Sequence, residues 1–249
     1  MNARAGNPNS IHDGPYHRLL ARIQRRYRTT TEDLSFGGVT IRFTRVAEPD
    51  RVLDEIVAEE DRREKISGIR LQDPQHLPYW AELWESALGI AAAITEMKFT
   101  ESTRVLDLGC GMGLAGAAAA AMGAQVMLAD LETPALLFAK LNCLPLSRRV
   151  RIRQLNWQVD RLNEQFDLIL GADILYERKQ WEFLNEFWKT HLAEGGSVLL
   201  GEPGRQSGDL FMPWIAERGW KLREGSQRAR TERAGPDGKA IRVFFLSRA

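Results

Sequence analysis

The run Val105-Leu106-Asp107-Leu108-Gly109-Cys110-Gly111-Met112-Gly113-Leu114-Ala115-Gly116 constrains the fold more than any other part of the chain. An apolar stretch passes through a glycine cluster into a segment of small residues. A strand that is apolar on both faces belongs in a sheet covered by helices on both sides. Glycines in the turn permit backbone conformations and close approaches that a Cβ forbids. The helix start that follows offers unpaired N–H groups and partial positive charge. Strand, glycine turn and helix in this order predict an α/β fold with a ligand at the carboxyl edge of its sheet.

The alternation begun at this turn continues through most of the chain. Apolar strand patterns are predicted at residues 104–108, 125–130, 150–155, 166–172 and 197–201, with helices at 114–122, 133–142, 180–192 and 208–218. Thr133-Pro134 forms a cap and first-turn pair, and Gly123 and Gly219 follow their helices. Upstream, Val39, Ile41 and Phe43 alternate with polar residues after the Gly37-Gly38 turn, and residues 49–65 carry one apolar helical face. Two last strand patterns, at 220–223 and 241–247, flank Gly235-Pro236-Asp237-Gly238 with no helix between them, which predicts an antiparallel edge strand. The expected architecture is a doubly wound, Rossmann-like sheet of seven strands with an N-terminal extension. Residues 1–34 read as a basic, flexible arm in which Tyr16, Leu19, Leu20, Ile23 and Tyr27 have the spacing of one short helix. Residues 35–76 add a strand and a helix, and residues 77–249 form the ligand-binding core.

The chain has 249 residues and a formal charge of +1, so nothing draws it as a whole toward nucleic acid or anionic lipid. Cys110 and Cys143 fall in the glycine loop and at a helix end, positions unsuited to a structural bridge. His12, His17, His76 and His191 are scattered without ligand spacing, so no metal is expected. No apolar run approaches the roughly 18 residues of a membrane span. A cytoplasmic location is expected. The arginines at 18, 22, 25, 26 and 28 bring in the mitochondrial matrix only for a eukaryotic source.

Gly111, Gly113 and Gly116 spell G-x-G-x-x-G, which by itself admits a dinucleotide. Asp107, two positions before Gly109, argues otherwise: a carboxylate there repels a pyrophosphate and suits a cationic ligand. S-adenosylmethionine carries an ammonium and a sulfonium and no phosphate. Asp130 ends the second strand, where an acid can accept hydrogen bonds from both ribose hydroxyls. Asn156 and Trp157 follow the third strand and are candidates to read and cover an adenine, and Ala172 ends the fourth strand on the same side.

With these residues in view, the sequence resembles the seven-β-strand protein-lysine methyltransferases, the family related to nicotinamide N-methyltransferase. The marks are Val105 to Gly113, Leu155-Asn156-Trp157, and Leu170-Gly171-Ala172-Asp173-Ile174-Leu175-Tyr176-Glu177, which contains the family's Asp-x-x-Tyr. Pro78-Tyr79-Trp80-Ala81 with Trp84, and Gly201-Glu202-Pro203-Gly204-Arg205, look most like the branch acting on the electron-transfer flavoprotein β subunit. Glu202 stands where that branch has Asp, and Glu85 where it has Pro. The resemblance implies S-adenosylmethionine as cofactor, held by Trp84, Gly109, Gly111, Asp130, Trp157 and Ala172. Asp107, Gly113 and Asn156 are added from the residues themselves. It also implies a protein lysine as acceptor, with Asp173 and Tyr176 as catalytic residues.

A nearby carboxylate raises an ammonium pKa, so Asp173 is assigned to docking the lysine and not to removing its proton. Tyr79, Trp80 and Trp84 are candidates for aromatic walls of a lysine channel. Three other functions share parts of this pattern. A small-molecule N- or O-methyltransferase would have the same cofactor half. A nicotinamide-dependent oxidoreductase is opposed by Asp107, and a non-catalytic cofactor-binding module by the presence of Asp173 with Tyr176.

Overall fold

In the computed structural model, which describes residues 14–67, 77–147, 149–229 and 239–249, the chain opens with helix α1 (Pro15–Gln24). Strands β1 (Thr29–Phe36) and β2 (Val39–Val46) follow as an antiparallel hairpin, then helix α2 (Pro49–Ser67). Gly37 and Gly38 have φ of 48° and 88°, the left-handed pair that a two-residue hairpin turn requires. Ile23 is fully buried, Tyr16, Leu19, Leu20 and Tyr27 pack against the core, and the Tyr27 ring meets Trp80 and Phe138 edge-on. The described part of the expected arm is therefore built into the body through the apolar face of α1. Its arginines 18, 22, 25, 26 and 28 remain on the exposed side.

The remaining elements are α3 (Glu85–Thr95), β3 (Arg104–Leu108), α4 (Leu114–Ala121), β4 (Gln125–Asp130), α5 (Thr133–Cys143), β5 (Val150–Gln154), β6 (Phe166–Ala172), α6 (Trp181–His191), β7 (Leu192–Glu202), α7 (Gln206–Ala216), β8 (Trp220–Ala229) and β9 (Lys239–Arg248). Seven strands form one sheet in the order β5-β4-β3-β6-β7-β9-β8. Strands β3 to β7 pair in parallel, and β9 runs antiparallel to both of its neighbours. The reversed strand thus lies one place in from the edge, and the edge itself is β8, parallel to the rest. The pattern of residues predicts no helix between the two last strands; it does not show on which side of β8 the return strand inserts. The predicted turn at 235–238 lies outside the described residues.

Two apolar layers cover the sheet. Val105 faces α3, α4 and α5, whereas Leu106 and Leu108 face α6 and α7, where Trp181, Trp188, Phe187 and Phe211 are fully buried. Each such side chain contributes about 1.5–3 kcal/mol through burial. The small residues of α4 have a steric reason. A Cβ on Gly116 would stand 2.3 Å from Leu128 Cδ2, so this helix lies too close to the sheet for larger side chains.

Strand β3 has β4 on one side and β6 on the other. Chain connections leave this point in opposite directions, and a crevice opens at the carboxyl ends of the strands. Among the described residues no helix is long and apolar enough to cross a membrane.

Candidate active site

A cavity of about 270 Å³ occupies that crevice, close to the lower end of the roughly 300–1,000 Å³ usual for ligand pockets. Its floor is the loop after β3. Gly109 and Gly111 have φ of 66° and 51°, and both line the space. A Cβ on Gly109 would lie 3.1 Å from Ile174 Cγ2 and 3.4 Å from Trp157 Cζ3. One on Gly111 would meet nothing nearer than the Trp80 carbonyl oxygen at 3.7 Å, so the requirement there is the backbone angle alone.

Asp130, at the end of β4, is the acid of this floor. Its Oδ2 accepts the Gly111 N–H at 2.8 Å and its Oδ1 accepts the Glu132 N–H at 2.9 Å. Burial pushes its carboxyl up to about 6, and these two N–H donors hold it from rising further. An ionised carboxylate has about four acceptor positions, so capacity remains for a ligand's hydroxyls.

Asp107 and Gly113, expected on the cofactor side, lie outside the cavity wall. Asp107 Oδ2 accepts the Gly116 N–H at 2.8 Å, and Oδ1 is buried without a hydrogen-bond partner among the described residues. Burial, opposed by the Gly116 donor and reinforced by the charge on Asp130, raises this carboxyl to about 7. Gly113 caps α4 at φ 82°, and a Cβ on it would stand 2.7 Å from the Ala139 methyl. These two residues hold the loop against α4 and α5. The sequence places them next to the glycine turn but does not show which way they face.

Asn156 and Trp157 form one side of the cavity. The Asn156 Oδ1 accepts the Gln158 N–H at 3.0 Å while its own N–H donates to Asp160 Oδ2 at 2.8 Å, a closed turn that stiffens the loop. Trp157 Nε1 donates to Gln180 Oε1 at 3.1 Å, and Gln158 Nε2 shares that acceptor at 2.9 Å. The indole is thereby fixed beside Gly109.

Across the cavity, β6 ends in Ala172 and Asp173. Asp173 has φ 53°, the only positive φ on a non-glycine among the described residues, and such a conformation costs about 1–2 kcal/mol. Its N–H donates to the Gly201 carbonyl at 3.0 Å. Its carboxylate receives Arg205 Nε at 3.0 Å and Nη2 at 2.7 Å, a forked pair whose acid side is nearly closed to solvent. The same guanidinium lies 5.6 Å from the Trp84 ring centroid. Buried Glu202, at the end of β7, accepts the N–H groups of Gly204, at 2.9 Å, and of Arg205, and Arg242 stands 3.7 Å from it.

Tyr176 sits at the cavity mouth with its ring 5.8 Å from that of Tyr79. The two are 46% and 42% exposed, so the mouth is an open aromatic rim. Partial burial, with the charge on Glu177, pushes the Tyr176 phenol up to about 12, which keeps it protonated as a hydrogen-bonding group. A three-residue turn (Tyr79–Ala81) carries Trp80 into the core, while Trp84 Nε1 donates to the Tyr79 carbonyl at 2.9 Å. All three aromatics reach the cavity.

The cavity therefore brings together Trp84, Gly109, Gly111, Asp130, Asn156, Trp157, Ala172, Asp173 and Tyr176. Arg205, Gln180, Glu132 and Glu177 join them unforeseen. For Arg205 a signal existed: Pro203-Gly204 after a strand and before a helix marks a loop at the ligand-facing edge. Among the described residues no group of three or more His, Cys, Asp and Glu is placed to hold a metal.

A family model described as lysine methyltransferase matches residues 70–217, more than half of the chain. Protein N-lysine methyltransferase METTL21A of Danio rerio is 36% identical over 142 residues, covering 53% of this chain and 64% of that protein. The electron transfer flavoprotein beta subunit lysine methyltransferase of Danio rerio is 30% identical over 135 residues, 51% of each chain. The chain thus spans less than two thirds of the length of these relatives. The crystal structure of the glycopeptide N-methyltransferase MtfA complexed with sinefungin superposes with a TM-score of 0.55 at 12% identity, covering 67% of this chain and 95% of that one, a likeness of fold.

Proposed function

The chain belongs to the lysine methyltransferase family, and we propose that it transfers a methyl group from S-adenosylmethionine to a lysine side chain of a protein. The observation that carries this reading is one continuous cavity with Asp130 in its floor and the pair Asp173 and Tyr176 at its mouth. Asp130 offers a charged acceptor for the ribose hydroxyls, the backbone of Gly109 and Gly111 a surface without side chains, and Trp157 an indole for the adenine. Among the described residues, lining acids Asp130, Glu132, Asp173 and Glu177 outnumber the one lining base, Arg205, which suits a cationic ligand and not a phosphate. Once bound, S-adenosylmethionine would supply a sulfonium methyl open to in-line attack by a neutral amine, with the thioether as leaving group.

The chain's own contribution is alignment and exclusion of water. Tyr79, Trp84 and Tyr176 form a rim through which a long side chain can reach the cavity, and the protonated Tyr176 hydroxyl is placed to orient an amine. The exposed rim favours an acceptor carried on a protein surface over a metabolite in a closed pocket. The family relatives name two proteins to try, the electron transfer flavoprotein β subunit and EEF1A. The flavoprotein subunit is the first choice, because the resemblance at Gly201 to Arg205 points to that branch.

The test is incubation with methyl-tritiated S-adenosylmethionine and three probes: the flavoprotein β subunit, EEF1A and a desalted soluble-protein extract. A labelled protein band that maps to lysine is the expected result. Label confined to small molecules would replace the acceptor with a metabolite, and cofactor binding without transfer would leave a binding module.

A further inference from the structure

Among the described residues, the cation paired with Asp173 is Arg205. Asp173 is expected to dock the acceptor lysine, yet a carboxylate within about 4–6 Å of an ammonium raises its pKa by about 1–3 units. A free lysine already titrates near about 10.4, so roughly one in 250 is neutral at pH 8. An uncompensated Asp173 would lower that fraction about tenfold to a thousandfold. Docking and deprotonation are in conflict unless the acid is neutralised.

We infer that Arg205 is a positioning residue that resolves this conflict: its guanidinium offsets the charge of Asp173, so that a lysine docked there can release its proton. The inference rests on the methyltransferase reading above. The pair is forked, with Nε donating to Oδ1 and Nη2 to Oδ2, and a guanidinium stays charged at any working pH. Its position is fixed from two directions. Glu202 holds the Arg205 backbone N–H, and the side chain lies against Trp84. The Arg205 side chain is 42% exposed and that of Asp173 6%, and both line the cavity, so an amine that enters it meets the two charges together.

Among the described residues, Arg205 also faces Glu85 at the start of α3 and Glu202 at the end of β7, with Arg242 3.7 Å from Glu202, while Asp130 and Glu177 line the same cavity. Asp173, Glu202 and Glu85 all favour the charged form of Arg205. In the reaction the lysine ammonium first gives a proton to water. Its nitrogen lone pair then forms the N–C bond as the methyl–sulfur bond breaks, and S-adenosylhomocysteine leaves with the electron pair.

The test compares the kcat–pH profiles of the native protein, Arg205→Met, Arg205→Gln and Arg205→Lys, using the probe that labels most strongly in the tritium assay. In the Met and Gln variants the rising limb is expected to move up by about one pH unit or more, with at least about a tenfold loss near neutrality that closes at high pH. The Lys variant is expected to keep the native limb, and S-adenosylhomocysteine affinity by calorimetry is expected to be unchanged in all variants. A uniform loss at every pH with the limb unmoved would overturn the inference and leave the methyltransferase reading standing. Higher kcat/KM in the Met and Gln variants would also overturn it, because Arg205 would then be a stand-in that the lysine must displace. No transfer by the native protein at any pH would sink both readings together.

Discussion

The Asp130 carboxylate accepts the Gly111 amide at 2.8 Å, so the acid that ends β4 also clamps the loop that ends β3. One side chain thereby fixes the floor of the cavity and presents its remaining lone pairs to whatever enters. Asp173, on the opposite wall, pairs with Arg205 and with the Gly201 carbonyl. Asp130→Ala is expected to weaken S-adenosylhomocysteine binding by about tenfold to a hundredfold, the value of losing hydrogen bonds to a charged acceptor. Asp173→Ala is expected to leave binding near native and to remove methyl transfer. Calorimetry paired with the tritium assay separates the two, and equal loss of binding in both variants would refute the division.

Protonation gives the same floor a pH signature with two opposite signs. The folded-state values of Asp107 and Asp130, about 7 and about 6, lie above the ordinary value of 3.8. Between those limits the folded state binds more protons than the unfolded one, so these groups make the ligand-free protein less stable as pH rises from about 4 to 7. Cofactor binding needs the ionised Asp130 and is expected to strengthen over the upper part of that window. Tm and S-adenosylhomocysteine affinity measured between about pH 5 and 8 should therefore move in opposite directions, and parallel movement would count against the assignment.

Glycines of one loop should respond differently to the same methyl group. Gly111→Ala meets only the positive-φ penalty, about 1–2 kcal/mol, and should fold. Gly113→Ala adds a clash with the Ala139 methyl and Cα, at 2.7 and 2.8 Å, to that penalty. Together these predict a loss of about 2–4 kcal/mol and a fall in Tm of roughly 5–15 °C. Thermal denaturation of the two variants decides the matter, and equal Tm values would show that α5 yields where it is expected to resist.

Gly208 in α7 faces Glu202 so closely that an added Cβ would stand 2.6 Å from the Glu202 Cδ. Gly→Ala inside a helix usually stabilises by about 1 kcal/mol. Here the sign is expected to reverse, because the Glu202 carboxylate is held by the amides of Gly204 and Arg205 and cannot step aside. Gly208→Ala combined with Glu202→Asp should recover part of the loss, since the shorter acid vacates the space. A double-mutant cycle by chemical denaturation measures the coupling, and strict additivity would mean that the two positions do not sense each other.

This pair also bears on the expectation of Asp at position 202. The longer Glu202 at a position expected to be Asp is matched by a residue without a side chain six places on. The strands and helices of the core were readable from the residues because each carries its own period, and Asp130, Gly109 and Gly111 because strand ends and glycine turns are local. The pairings of Arg205 and Gln180 were not. Each acts on a partner more than twenty positions away, Asp173 and Trp157 respectively, and no local period records such a pairing. Asp107 shows the converse: its place in the motif was plain, but the direction of its side chain was decided by the approach of α4.

The insertion of β9 between β7 and β8 also bears on how the chain is made. Ile241, Val243, Phe244 and Leu246 of this strand are fully buried, and β7 pairs with no other strand on that flank. During synthesis, β7 and β8 leave the ribosome before the strand that belongs between them. Until residues 239–248 emerge, β7 is left with a bare row of N–H and C=O groups, the kind of edge through which nascent chains pair with one another. The cofactor crevice at β3, β4 and β6 can form well before that moment, so the half of the molecule that binds is expected to be ready while the half that closes the sheet is still being translated.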